Sequence, residues 1–533
     1  MQGLKVTGAH SDLFWVQTWI DRLADEAQWL RFSDPTLCQE WSESILALAA
    51  QDPEKWHALS TQIIPELLTS LPTIRSREEW DLWVARLLAA LPELSNPDRA
   101  QLIWLIDQIR QTDALLHRVR EQLDSGSIDL EQGFKNWQAD LAAQTVLPDT
   151  LRPDTFVIGE TLATTPGNVV FENQLFQLIQ YQPQTETTHA HPILMIPAFV
   201  NRYYILDLTP ESSMVQWLVQ SGHTVFMMSW VNPTESLRAY EMTHYVLDGC
   251  VQAMDQLARM CPRLPVQVMG YCAGGVLASI LTAWMSARGE GDRICSLSLL
   301  TTLLDYDAPG PLGRFVTEQS IAHVESVMQD TGYLPAAISL RTFASLRPHD
   351  LYVGRAINSY VLGQRAKPMP LFHWLGDGTR IPAAMVSWIL RTLYRENGLV
   401  CGAPIQLAGQ AIDLGAIQVP TYAMGAVSDE IAPWRSVFQG VQGIDGPVRR
   451  VLGRGGHNGG VINPPANAKY SYWVMSDADP LDQSKATAYE GSWWSDWGQF
   501  LQGSAGALVS PPLIGGGLRP AIEKAPGRYV KAQ

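Results

Sequence analysis

Apolar positions recur with helical spacing over the first 125 or so residues. Asp12-Leu13-Phe14-Trp15-Val16, then Trp19-Ile20 and Leu23, fall on one face. The same period continues over residues 54–68, 76–91 and 97–123. The last segment has a readable start, with Asn96 as N-cap, Pro97 at the first helical position and Asp98 adding negative charge to the first turn. These segments predict a helical accessory domain, serving either to support the core or to recruit partners. From Phe156 the pattern changes to short β-rich pieces, including Val169-Val170-Phe171 and Gln177-Leu178-Ile179-Gln180-Tyr181. Non-alternating apolar runs follow at 193–196, 224–228, 266–269, 296–300, 421–424 and 448–452, the pattern of strands covered on both faces. Helical stretches separate the earlier ones, which predicts a mostly parallel sheet flanked by helices.

Between Asp305 and Gln418 the alternation stops. Residues 315–346 and 350–362 read as helical, and Lys367-Pro368-Met369-Pro370 breaks the chain before Leu371-Phe372-His373-Trp374. An insertion between late strands is placed to cover the edge of the sheet where function usually resides. The tail carries Ser492-Trp493-Trp494-Ser495-Asp496-Trp497 and then a Gly/Ser/Pro-rich stretch over 503–517, expected as an irregular, partly mobile surface segment. Nineteen tryptophans leave two roles open, filling a core or facing an apolar product or partner.

Composition narrows the function classes. A formal charge of -15 argues against a nucleic-acid groove as the main binding feature. The start lacks a basic region leading into an apolar run, so no signal peptide is expected. No apolar run approaches the roughly 18 residues of a membrane span. The six cysteines, Cys38, Cys250, Cys261, Cys272, Cys295 and Cys401, are dilute and form no paired motif. They read as free thiols of a reducing cytoplasm rather than a disulfide framework.

One cysteine stands apart. Val266-Gln267-Val268-Met269-Gly270-Tyr271-Cys272-Ala273-Gly274-Gly275 joins a predicted strand to a predicted helix through Gly-x-Cys-x-Gly. This is the nucleophile-elbow arrangement with cysteine in place of serine. A thiolate there would sit at a helix N-terminus, which favours negative charge. The competing reading is a packed core thiol. A nucleophile needs a base and the base an orienting acceptor. His457 follows the 448–452 run behind Gly455-Gly456, and Asp429 follows the 421–424 run. The order Cys272, Asp429, His457 is that of the α/β-hydrolase fold. Asp305 is an alternative acid, whereas Glu430 would point elsewhere from an extended chain. His223 precedes its strand, at the wrong end of a parallel sheet, and reads as structural. Oxyanion donors are expected from the N–H of Ala273 and from Phe199 or Val200 in the loop after residue 196. No histidine pair or His–Cys cluster has metal-ligand spacing. The stretch Gly453-x-Gly455-Gly456-His457 is too short for a dinucleotide loop and leads into Asn458-Gly459-Gly460 rather than a helix. No metal and no cofactor are expected.

The fold class read from these features is α/β. It is an α/β-hydrolase fold with a mainly helical N-terminal domain over 1–125 and an inserted cap over 311–410. The core is divided between 126–310 and 411–533, the latter including the tail.

Taken together, the motifs resemble those of class I polyhydroxyalkanoate synthases, also called poly(3-hydroxybutyrate) polymerases, from about Phe156 to Lys531. The similar segments include Asn201-Arg-Tyr-Tyr-Ile-Leu-Asp-Leu208, Ser229-Trp-Val-Asn-Pro233 and Gly270-Tyr-Cys-Ala-Gly-Gly275. Leu300-Thr-Thr-Leu-Leu-Asp305, Leu346-Arg-Pro-His-Asp350, Gly456-His457 and Ile462-Asn463-Pro464-Pro465 extend them. The resemblance implies chain-growing acyl transfer from (R)-3-hydroxyacyl-CoA, with a short side chain such as 3-hydroxybutyryl, and release of CoA. It implies Cys272 as the acylated nucleophile, His457 as its base, and Asp429 as the acid that orients histidine or activates the incoming hydroxyl. It further implies a homodimer at the surface of cytoplasmic polyester granules, with granule-associated proteins as partners. Two positions depart from the family pattern: Glu430 stands where a histidine is usual, and Asn458-Gly-Gly where isoleucine-alanine-glycine is common. The first 125 residues also lack the tryptophan–asparagine–proline–phenylalanine stretch typical of the family. From the residues alone, a cysteine hydrolase of esters or polyester and a non-catalytic granule-binding protein remain as alternatives.

Overall fold

In a computed structural model of the chain, residues 129–532 are described apart from short breaks at 144, 146, 150–154, 263–264, 348, 402–404, 468 and 519. The helical segments expected over residues 1–125 lie outside the described residues. The core is one sheet built from β1 (Gly167–Glu172), β2 (Phe176–Tyr181), β3 (Ile193–Ile196), β4 (Val225–Trp230), β5 (Val266–Tyr271) and β6 (Ile294–Leu300). It continues through β7 (Thr421–Ala426), β8 (Val448–Gly453), β9 (Tyr472–Val474), β10 (Thr487–Tyr489) and β11 (Glu523–Lys524). Their order across the sheet is β10-β9-β8-β7-β6-β5-β3-β4-β2-β1-β11.

Strands β3 to β8 are parallel to their neighbours in this group, whereas β2 runs antiparallel to β1 and β4. The chain moves from β3 to β4 on one side and then crosses back to place β5 on the other. The loops leaving β3 and β5 therefore diverge and open a crevice at their carboxyl ends, the usual ligand position in such sheets. This is an α/β-hydrolase-like fold.

The apolar runs lack alternation because both faces of the sheet are covered. In β3, Leu194 and Ile196 join one apolar layer while Ile193 and Met195 join the other. In β5, Val266 and Val268 face the first layer, and Met269 and Tyr271 the second. The helix Ala273–Ala287 fills the first layer with Val276, Leu277, Ile280, Leu281 and Trp284. The second is filled by the helix Met214–Gln220 and by the tail helix Trp494–Gly503.

The tail tryptophans have a core role. Trp493, Trp494 and Trp497 are fully buried, and each contributes at most on the order of 4–6 kcal/mol by area. Their indole N–H groups are also satisfied: Trp493 donates to Gly460 O at 2.9 Å, Trp494 to Val461 O at 2.8 Å and Trp497 to Ser298 Oγ at 3.0 Å. The stretch after them is irregular, as expected, but tied down. Leu508–Val509 pairs with Thr188–His189, and β11 then adds to the sheet beside β1.

The insertion between β6 and β7 is mostly helical, with helices at Glu318–Thr331, Ala336–Ser345, Pro370–Gly376 and Ala383–Trp388. The first starts at Thr317, whose hydroxyl accepts the Ser320 N–H at 3.1 Å. The Pro-rich break places Pro370 in the first turn of its helix, where a missing N–H costs nothing.

Candidate active site

The crevice is organised by the turn after β5. Cys272 adopts φ 53° and ψ −124°, a left-handed conformation that an L-residue occupies only at a cost of about 1–3 kcal/mol. It persists because the surrounding chain leaves no alternative. The Cys272 N–H donates to Leu300 O at 2.9 Å, and Cys272 O accepts the Gly275 N–H at 2.9 Å. Close backbone approaches explain both glycines of the motif. A Cβ on Gly270 would lie 2.4 Å from Gly275 Cα, and one on Gly274 would collide with the carbonyls of Ile196 and Pro197. The Cys272 turn is thus packed directly against the chain leaving β3.

The loops carrying Asp429 and His457 are stitched together. Val427 N donates to Gly453 O and Ser428 N to Gly455 O, both at 2.9 Å. Gly455 takes φ +113°, turning the chain after β8 back over the sheet. His457 then opens a short helix, His457–Val461, where the sequence suggested none. That turn forms despite Gly459 and Gly460 because Trp493 and Trp494 bond its last carbonyls from below. Tertiary hydrogen bonds outweigh the low helix propensity of glycine.

His457 Nδ1 lies 2.8 Å from Asp429 Oδ2. The other carboxylate oxygen, Oδ1, accepts the N–H groups of Ile431 at 2.9 Å and Ala432 at 2.8 Å. All of the acid's partners therefore fix its direction. With Nδ1 engaged, Nε2 is the nitrogen available to sulfur. Burial alone would lower the affinity of His457 for its proton. The Asp429 carboxylate and the Cys272 sulfur, through charge and hydrogen bonding, outweigh it and hold the pKa well above the usual imidazole value. The arrangement favours an imidazolium facing the Cys272 sulfur.

The alternative acids are occupied elsewhere. Asp305 Oδ1 accepts Asn397 Nδ2 at 2.8 Å and the Asp307 N–H at 2.9 Å. Glu430 is paired with Arg347, its Oε1 3.8 Å from Nε, and burial keeps its carboxyl above the usual range. His223 is buried against His189, with ring centroids 4.7 Å apart, and burial lowers its pKa to about 4. It lies before β4, away from the crevice.

The N–H groups of Ala273, Phe199 and Val200 make no backbone hydrogen bond among the described residues. Phe199 itself is a core side chain, packed on Tyr245 with centroids 5.1 Å apart. Three tyrosines near the sulfur were not legible as site residues. Tyr271, Tyr306 and Tyr394 have phenols raised by burial first, and the Cys272 charge adds to the shift of each. Tyr394 comes from the insertion and meets Tyr306 edge-on at 4.8 Å. The insertion therefore packs against Tyr306, which follows β6. Tyr271 could have been suspected from its place beside Cys272, but nothing in the spacing of Tyr394 predicts this encounter. Tyr271 OH also donates to Asn458 Oδ1 at 2.5 Å, joining the residue before Cys272 to the residue after His457.

Among the described residues, no three or more His, Cys, Asp or Glu side chains are grouped as a metal site. No described helix is long and apolar enough to cross a membrane.

Comparison with known proteins gives a consistent assignment. Residues 80–218 match the family model described as the poly-beta-hydroxybutyrate polymerase (PhaC) N-terminus. Over 421 residues the chain is 38% identical to the poly(3-hydroxyalkanoate) polymerase subunit PhaC of Cupriavidus necator, covering 77% of this chain and 71% of that one. Over 467 residues it is 36% identical to the corresponding subunit of Rhizobium meliloti, covering 85% and 75%. A poly(3-hydroxyalkanoate) polymerase of Methylorubrum extorquens is 37% identical over 419 residues, covering 78% and 69%. These extents of identity and coverage, on a fold that carries α/β-hydrolase-type machinery, place the chain in the poly(3-hydroxyalkanoate) polymerase family as an enzyme of acyltransferase type.

Proposed function

We propose that the protein polymerises (R)-3-hydroxyacyl-CoA, with short side chains such as 3-hydroxybutyryl, through a thioester on Cys272. The observation that carries this reading is the buried Asp429–His457 pair, 2.8 Å long, beside a cysteine held on a strained turn. The Cys272 thiolate attacks the thioester carbonyl, and the negative oxygen is met by the N–H of Ala273 and by that of Phe199 or Val200. The tetrahedral adduct collapses, the CoA thiolate departs, and His457 supplies its proton. In the next step His457 accepts the hydroxyl proton of an incoming 3-hydroxyacyl unit, whose oxygen attacks the Cys272 thioester. An ester bond forms, the sulfur leaves as thiolate, and the imidazolium–thiolate pair is restored. Asp429 holds the ring orientation and stabilises its charge in both steps.

Residues 126–310 and 411–533 serve as the two parts of the core, with 311–410 as its cap and 1–125 as an accessory domain. Tyr394 supports the cap reading, because it packs the insertion against Tyr306 at the carboxyl end of β6, where a cover would exclude water from an acyl-enzyme. Assembly as a homodimer, work at the surface of cytoplasmic polyester granules and contact with granule-associated proteins belong to the same reading. They rest on the family to which the chain belongs.

Hydrolysis would use the same nucleophile, base and oxyanion donors, so the acceptor is what must be tested. Purified protein is incubated with (R)-3-hydroxybutyryl-CoA while CoA, free acid and polymer mass are measured together. CoA release matched by long-chain polyester is expected. Stoichiometric free 3-hydroxybutyrate would replace this reading with a hydrolase.

A further inference from the structure

The loop leaving β3 is held from two distant parts of the chain through one buried residue. Arg202 is 4% exposed. Its Nε lies 3.3 Å from Asp377 Oδ1, at the end of the helix Pro370–Gly376 in the insertion. Its Nη1 donates to Tyr529 O at 3.2 Å and Nη2 to Ala532 O at 2.7 Å, in the C-terminal segment. A guanidinium offers a planar fork of donors, so acceptors placed around it fix its direction as well as its position.

The same loop takes further bonds from the insertion. Trp374 Nε1 donates to Arg202 O at 2.7 Å, and Thr379 Oγ1 to Phe199 O at 3.2 Å. Tyr204 OH donates to Asp377 Oδ2 at 3.0 Å, and Asn201 forms a backbone bridge with Gly378. At its other end the loop lies against the nucleophile turn, where Gly274 leaves no room for a side chain beside Ile196 O. A buried ion pair adds little net stability against an apolar replacement, but its loss leaves an uncompensated charge and frees what it held. An oxyanion donor displaced by a fraction of an ångström loses much of its effect.

We propose that Arg202 is a positioning residue for acyl transfer. Pinned between Asp377 and the carbonyls of Tyr529 and Ala532, it fixes the loop over residues 197–201 so that its N–H groups meet the oxyanion formed at Cys272. The proposal rests on the reading of Cys272 as acyl acceptor. It links the cap and the end of the chain to one catalytic element.

Two reactions of the same sulfur separate positioning from general disruption. Alkylation of Cys272 by iodoacetamide builds no oxyanion, whereas acylation by a thioester or by p-nitrophenyl acetate does. In the full chain, Arg202→Met is expected to alkylate at the wild-type rate and to acylate at least about tenfold more slowly, with the loss in kcat rather than KM. Asp377→Ala should give the same split. Unchanged acylation in Arg202→Met, or equal slowing of both reactions, would overturn the proposal. Should Arg202→Met fail to fold, Asp377→Ala decides by the same two rates. If the wild type is acylated by p-nitrophenyl acetate but not by (R)-3-hydroxybutyryl-CoA, the polymerase reading fails, and Arg202 is still judged on the ester.

Discussion

A Cβ placed on Gly274 would lie 2.1 Å from the carbonyl oxygen of Ile196. Two backbone segments meet there, the turn that holds Cys272 and the chain leaving β3, and neither has a flexible side chain that could give way. Gly274→Ala should therefore push the nucleophile away from the oxyanion loop. We expect a loss of at least about 100-fold in turnover against a stability cost of about 1–3 kcal/mol. Comparing CoA release with urea denaturation of the same variant checks both numbers. Near-wild-type turnover would mean that the two segments are free to separate.

Asp429 and Asp305 should respond differently to the same change. Asp429→Asn removes the charge facing His457 Nδ1 while keeping the shape, and should slow polymer formation by roughly 100-fold or more. Pre-steady-state CoA release will tell whether the first acylation or elongation is the slower step. Asp305→Asn retains an oxygen for Asn397 and Asp307, so turnover should stay close to wild type. The reverse result would exchange the two assignments.

Thiol labelling should follow burial. Burial raises Cys261 to about 11 and Cys295 to about 12, and places Cys250 higher still. Among the described cysteines, Cys401 is exposed and Cys272 half-buried beside an imidazolium. Limiting iodoacetamide at neutral pH should modify Cys272 and Cys401, with activity lost in step with Cys272 alone. Peptide mapping that found Cys250, Cys261 or Cys295 labelled first would contradict the packing described.

The proton on His457 should be visible in stability. In the unfolded chain the imidazole titrates near its ordinary value of about 6.5, whereas the folded protein holds that proton well above it. Between the two values His457 keeps in the folded state a proton that it has lost in the unfolded one, so its own contribution to stability falls as pH rises. The contribution is complete below about pH 6.5 and is lost as pH passes the folded value. Urea denaturation across pH 6 to 9 should show this decline in wild type and a flatter profile in His457→Asn. Equal slopes would remove His457 from the linkage.

The sequence went furthest where chemistry depends on local rules. Gly270-Tyr-Cys-Ala-Gly274 specified a strand–turn–helix, and the apolar runs of β3, β5 and β6 specified strands buried on both faces. Each feature is set by backbone sterics or by which side chains must leave water. The insertion also showed itself, because its helical periods and its Lys-Pro-Met-Pro break interrupt the strand–helix alternation. Other features escaped. His457 opens a helix across Gly459 and Gly460, residues that argue against one, because Trp493 and Trp494 arrive from more than thirty positions later to bond its carbonyls.

By itself, then, the chain determined the sheet and the strand–turn–helix at Cys272, and offered Cys272, Asp429 and His457 as candidates, since periodicity and turn chemistry are written in neighbouring residues. It could name Asp305 as a rival to Asp429 but had no means of choosing. Tertiary structure decided that choice by giving Asp305 to Asn397 and Asp429 to His457. It also decided that the tail tryptophans are core, that Tyr394 meets Tyr306, and that Arg202 joins the insertion to the end of the chain. The physical reason is common to all four. A hydrogen bond or a buried contact between distant segments depends on where the fold brings them, and no local pattern records that distance.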